Sequence, residues 1–222
     1  MTMLKRSLMR KISLLGSMLL VTLGQASNAA TTVASPAVFA FKGSSLGDQL
    51  SVWRERPAPT ESFPNVEPIC LGDAAAPKND RRSPAQVSAQ VVECGYSAPH
   101  ATTRYWSGGR IGGFEYTSAD YFFLNDRLYQ VEVVGVIDGE PEIVRLLSAK
   151  YGAPKTEKTT SLNGTGTSIP VTTYLWQSPS GRMVLTAPAM RIDRFTLVLT
   201  DKAAEAAVQR ADQAARPDNE KI

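Results

Sequence analysis

Six carboxylates crowd one part of the chain: Glu115, Asp120, Glu132, Asp138, Glu140 and Glu142. Two carboxyl groups facing one cleft, about 5–9 Å apart, are what glycoside hydrolysis requires. Plainer work is open to most of these six. Glu140 and Glu142 stand at a helix start, where negative charge is favoured. Asp138 is placed to cap that helix. The sequence by itself brings no two of the acids face to face.

Other catalytic chemistry finds less. A Ser/His/Asp arrangement needs a histidine, and the chain has one, His100. It lies in the polar run Ser97-Ala98-Pro99-His100-Ala101, without a Gly-x-Ser-x-Gly elbow, and reads as a surface residue. One histidine and two cysteines fall short of a four-ligand metal site. Gly108-Gly109 and Gly112-Gly113 lack the spacing of a nucleotide fingerprint and read as a turn or bulge before a strand. No catalytic residue, metal or cofactor is assigned from the sequence.

Recognition has better candidates. Arg104-Tyr105-Trp106, with His100 nearby, combines rigid aromatic area with a forked hydrogen-bond donor. Tyr121 and Phe123, with Leu128, form a second aromatic face on a hairpin. Arg81-Arg82 is the densest basic spot past the first 29 residues, but Asp80 sits beside it. It reads as a solvated loop, not a phosphate site.

Cys70 and Cys94 are the only cysteines. An even count in an exported chain predicts one disulfide.

The export reading comes from the first 29 residues. Lys5, Arg6, Arg10 and Lys11 precede an apolar run from Ile12 to Gly24, and Ala26-Ser27-Asn28-Ala29 supplies small residues at a cut. That is the pattern of a signal peptide, and the apolar run is shorter than the ~20 residues of a membrane-spanning helix. Cleavage after Ala29 leaves 222 − 29 = 193 residues. Of the 24 Lys and Arg, four precede the cut, so 20 basic residues then face 21 acidic ones. Without a basic excess, nucleic acid is not an expected partner. The expected location is the periplasm of a Gram-negative bacterium, or outside the cell.

These residues must be positioned by a modest set of elements. Phe39 and Phe41 suit a short strand. Leu46, Leu50 and Trp53 share one face of a helix over Leu46–Arg54. Residues 73–88 read as an exposed excursion. The clearest element is a hairpin from Asp120 to Val134, turning at Asn125-Asp126. A plain two-residue turn puts Phe122, Leu124, Tyr129, Val131 and Val133 on one face and Tyr121, Phe123 and Leu128 on the other. Pro141 opens a helix that Gly152 and Pro154 close, with Ile143, Leu146, Leu147 and Tyr151 as its stripe. Residues 155–168 read as a flexible tract. Strands follow over Thr172–Gln177, Arg182–Thr186 and Ile192–Thr200, and an alanine-rich helix over Lys202–Arg216 follows as a weakly docked tail or a helix for a partner.

The expected fold is α+β: an antiparallel sheet packed on one side by short helices. The expected division is a signal over 1–29, one domain over 30–200, and a C-terminal helix and tail over 201–222. Leu46 to Pro57 and Ile143 to Pro154 echo each other, each a short helix ending near proline and followed by strands. They suggest two degenerate helix–strand-group repeats.

Lys150-Tyr151-Gly152-Ala153-Pro154, followed by Trp176 on the next strand group, resembles small periplasmic modules. These are the outer-membrane assembly lipoproteins and the tandem β-lactamase inhibitor proteins. The chain departs from those lipoproteins in having no lipid-attachment cysteine. Phe41-Lys42-Gly43 and the Phe122–Tyr129 hairpin also resemble exported proteins of Gram-negative bacteria, a resemblance that implies no activity. A stable scaffold carrying one aromatic/Arg patch makes the expected function that of a non-catalytic interaction or envelope-maintenance domain, recognising another exported or envelope protein through that patch. The enzymatic alternative is a carboxylate-dependent hydrolase of cell-wall glycan or peptide.

Overall fold

Asn125 and Asp126 have φ of 50° and 60°, the left-handed pair of a two-residue hairpin turn. They join β6 (Phe114–Leu124) to β7 (Arg127–Val136). Leu124 pairs with Arg127 and Phe123 with Leu128, but Phe122 then pairs with Gln130. Tyr129 is therefore an extra residue, a bulge that reverses which side each following residue points to. This corrects the faces expected from the sequence. Val131 and Val133 join Tyr121, Phe123 and Leu128 in the main core, while Phe122 and Tyr129 lie in a second core.

The computed structural model describes residues 38–59, 66–74, 76, 80–97, 108–162 and 166–216. The leader, His100, Arg104, Tyr105 and Trp106 lie outside them. The remaining strands are β1 (Ala40–Phe41), β2 (Ser44–Ser45), β3 (Glu67–Cys70), β4 (Val92–Ser97), β5 (Gly109–Ile111), β8 (Lys155–Leu162), β9 (Ser168–Gln177), β10 (Gly181–Ala187) and β11 (Arg194–Asp201). β1 and β2 pair with each other. The other nine make one antiparallel sheet in the order β3-β4-β6-β7-β11-β10-β9-β8, with β5 on β6.

Four helices are described: α1 (Leu50–Arg54), α2 (Pro84–Ser88), α3 (Glu140–Tyr151) and α4 (Lys202–Ala215). The fold is α+β, as expected, but its helices lie on both faces of the sheet. Trp53 of α1 and Ile143 of α3 are fully buried in the main core. On the other face Ala85 and Ala89, at α2, and Ala204 and Val208 of α4 pack on Val91, Phe122 and Tyr129. The second face acquires a core because the bulge places Phe122 and Tyr129 there together.

Local sequence explains the helix ends. α3 has Pro141 in its first turn and stops at Gly152, φ 86°, where a left-handed residue carries no side-chain penalty. α2 falls inside the stretch expected to be irregular. Its Ser83 hydroxyl accepts from the Gln86 amide, and the Ser83 amide donates to Gln86 Oε1, a reciprocal capping box. The tract from Lys155 is likewise ordered, as β8, which pairs with β9 over its whole length from Lys155↔Leu175 to Leu162↔Ser168.

Element order runs α1, β3, α2, β4, β5, β6, β7 and then α3, β8, β9, β10, β11, α4, the two strand groups meeting where β7 pairs with β11. Among the described residues no helix is long and apolar enough to cross a membrane.

Candidate functional site

Tyr121 and Phe123 are not a recognition surface: they are 0% and 1% exposed. Their rings surround Trp53, with centroids at 5.1 and 5.5 Å, and Tyr96 joins at 5.1 Å. The register shift at Tyr129 explains the correction, because it adds Val131 and Val133 to their side and makes it the main core. Cys70 and Cys94, directly opposed on β3 and β4, form the expected disulfide.

The acids meet only in part. Asp120 pairs across the strands with Glu132, and Glu93 stands across from Phe122 on the same face. Arg81 closes this group from above. Its guanidinium donates to Asp120 Oδ2 at 2.7 Å and to Ser118 Oγ at 3.1 Å, and its amide donates to Glu93 Oε2 at 2.9 Å. Arg81 is thus no solvated loop residue, whereas Arg82 does pair with Asp80. Asp120 is 1% exposed. Burial pushes its carboxyl up to about 7, with Arg81 pulling down and Glu93 and Glu132 pushing further up. A neutral carboxylic acid at that pH is a general acid in kind. Asp120 lies sealed beneath Arg81, however, and the neighbouring hollow of about 330 Å³ is walled by Arg81, Gln86, Tyr129, Glu132 and Glu205. Three of the other acids are engaged elsewhere: Glu115 with Arg110, Glu142 with Arg145, and Glu140 with the Tyr174 hydroxyl. Asp138 does not cap α3, which starts from Gly139 without a side-chain cap.

The sheet leaves a surface open on the Asp120 side, in its C-terminal half. β10 alternates buried and half-buried along its length. Met183 and Leu185 enter the main core. Val184 points the other way, between Leu175 of β9 and Val198 of β11. All three are half-buried. Thr173, Thr186 and Thr196 form the next row.

This face leads into a trough. β10 ends at Ala187, opposite Thr172, so Ser168–Val171 of β9 have β8 alone as their partner. The chain from Pro188 to Ile192 folds beside them. Between the two lies a trough of about 290 Å³ lined by Leu162, Ile169, Val171, Met190 and Ile192 among others. Leu162, Met190 and Ile192 are 71%, 76% and 69% exposed, three of the six exposed large hydrophobic residues described. Scattered exposed apolar residues are ordinary, but contiguous ones mark contact surfaces.

The loop that displays Met190 is tightly made. The Ala189 amide donates to the Arg194 carbonyl at 2.8 Å, the Arg194 amide to the Arg191 carbonyl at 3.1 Å, and the Ile137 amide to the Asp193 carbonyl at 3.0 Å. Met190 itself has φ 60°, a conformation a non-glycine residue rarely adopts, and such sites concentrate where side chains are presented for function. Asp193 holds Arg191 at 3.1 Å. Sequence reading placed Ile192 in a strand and missed the trough. One signal was available: residues 159–181 contain no Asp, Glu, Lys or Arg.

Comparison with protein-family models, with curated proteins and with solved structures gives no match for this chain.

Proposed function

We propose that this chain is a non-catalytic interaction domain of the bacterial envelope, binding another exported or envelope protein through the open end of its sheet. The observation that carries this reading is the convergence of Leu162, Met190 and Ile192 on one trough. It replaces Tyr121 and Phe123 as the contact surface, since both are core residues. The disulfide supports the exported location, because such bonds persist in oxidising compartments. The position of α1 ahead of one strand group and of α3 ahead of the other supports a degenerate repeat, with α2 and β5 interrupting the first copy and α1 shorter than α3.

The carboxylate hydrolase is the weaker reading. Asp120 has the raised pKa of an acid catalyst, but an acid must reach the leaving group, and Arg81 covers it.

A comparison of envelope-extract pull-downs tests the proposal. The wild-type chain should retain a partner that Met190→Asp and Ile192→Asp both lose, while Val87→Asp, on α2, keeps it. Equal retention by all variants contradicts it. Release of soluble fragments from purified cell-wall sacculi, lost in Asp120→Asn, would establish the hydrolase instead.

A further inference from the structure

Resting on that interaction reading, we infer that the trough accepts one large apolar side chain from an uncharged peptide segment of the partner. Three features of the site select this occupant.

The first is charge. The arm that forms one wall belongs to the uncharged 159–181 run. On the opposite wall the one charged lining residue, Arg191, is already held by Asp193. A charged group entering here would lose water and gain no counter-ion, which is costly. An apolar group loses nothing of the kind and covers Met190 and Ile192.

The second is size. About 290 Å³ is at the bottom of the range for ligand cavities. It holds a large side chain such as tryptophan or leucine, not a helix. Interfaces concentrate their affinity in just such buried anchors.

The third is the nature of the walls. One is paired β-strand, Ser161 opposite Ile169 and Thr159 opposite Val171. The other is the hydrogen-bonded turn around Met190. The site is formed before the partner arrives, which lowers the ordering cost of binding. Met190 supplies an unbranched, polarizable wall able to adapt to different apolar shapes.

The test uses the full chain and three short capped peptides of serine and threonine. One carries a central tryptophan, one a central alanine, and one the tryptophan with glutamate on either side. Methyl resonances of Met190, Ile192 and Leu162 are followed by NMR. The tryptophan peptide is expected to shift these methyls and to leave those of Val52 and Val87 unmoved. The alanine and glutamate peptides should bind about tenfold or more weakly, a loss of ~1.4 kcal/mol. Met190→Asp should abolish the shifts, and Ile192→Ser, which introduces no charge, should weaken them.

Equal binding of the alanine and tryptophan peptides overturns the inference, as does binding that ignores both substitutions. So does co-sedimentation with neutral phosphatidylcholine vesicles without peptide binding, which would assign the patch to a lipid surface. Shifts of the same methyls on dilution, with a concentration-dependent sedimentation coefficient, would assign it to a second copy of the chain. If the peptides fail while the pull-down still depends on Met190, the anchor falls and the interaction reading stands. If both fail, the reading falls as well.

Discussion

Arg81 reaches 39 residues along the chain to place its guanidinium 2.7 Å from Asp120 Oδ2. The contact ties the segment ahead of α2 to the middle of β6, on the face opposite Trp53. It makes a buried acid part of the scaffold.

Stability should depend on the titration of Asp120. Its carboxyl is raised to about 7, chiefly by burial, against about 4 in an unfolded chain. The folded state therefore holds a proton that the unfolded state releases. That contribution is full below about pH 4 and is lost as pH rises through about 7. Asp120→Asn removes the titration. Thermal unfolding at about pH 5 and about pH 8 should show wild-type Tm falling relative to the variant as pH rises. A gap that stays constant or moves the other way contradicts this.

Gly135 and Phe195 pair across β7 and β11. A Cβ on Gly135 would lie 2.3 Å from Phe195 Cζ, so the ring occupies the missing side chain's place. Gly135→Val must displace it from the main core. Overpacking costs typically ~1–3 kcal/mol, and urea unfolding should show a loss in that range or above. A change within about 0.5 kcal/mol, the range of ordinary surface substitutions, contradicts the packing described.

The second core should open more readily when a buried side-chain hydrogen bond within it is cut. Gln86 Nε2 donates to the Tyr129 hydroxyl at 2.7 Å. Tyr129→Phe keeps the ring but leaves the amide without that acceptor, a cost of about 1–3 kcal/mol. Hydrogen exchange should accelerate in α2 and the facing turns of α4 more than in β10. Uniform acceleration across the sheet would show instead that both cores unfold as one unit.

Cys70→Ala/Cys94→Ala should lower Tm. Closing a loop of sequence separation 24 is worth ~3 kcal/mol by chain-entropy reasoning. An unchanged Tm in the double variant contradicts a stabilising role for the bond.

Features written in neighbouring residues were legible. Asn125-Asp126 announces its turn, Pro141 and Gly152 bracket α3, and two cysteines leave one pairing. The faces of the hairpin were not legible, because a bulge adds one residue without disturbing the run of apolar types. Phe122 to Leu124 and Leu128 to Val133 are compatible with either register. Packing decided, by offering Trp53 to Tyr121 and Phe123. α2 carried a readable Ser83-x-x-Gln86 signature, obscured by the proline and charge around it. β8 lacked apolar alternation because all eight of its residues are exposed. Arg81 looked like a loop residue because its partners lie far away in sequence. The trough shows both limits: its lack of charge is visible in residues 159–181, but nothing local says that Met190 and Ile192 will stand beside Leu162.

The most direct test is site-specific photocrosslinking in Gram-negative cells producing the full chain. A photoreactive side chain is placed in turn at Leu162, Ile192, Val52 and Val87, four exposed apolar positions. Leu162 and Ile192 are predicted to give the same protein adduct, with Val52 and Val87 giving none. Adducts from all four positions alike, or from Val52 and Val87 alone, would contradict a contact surface at the open end of the sheet.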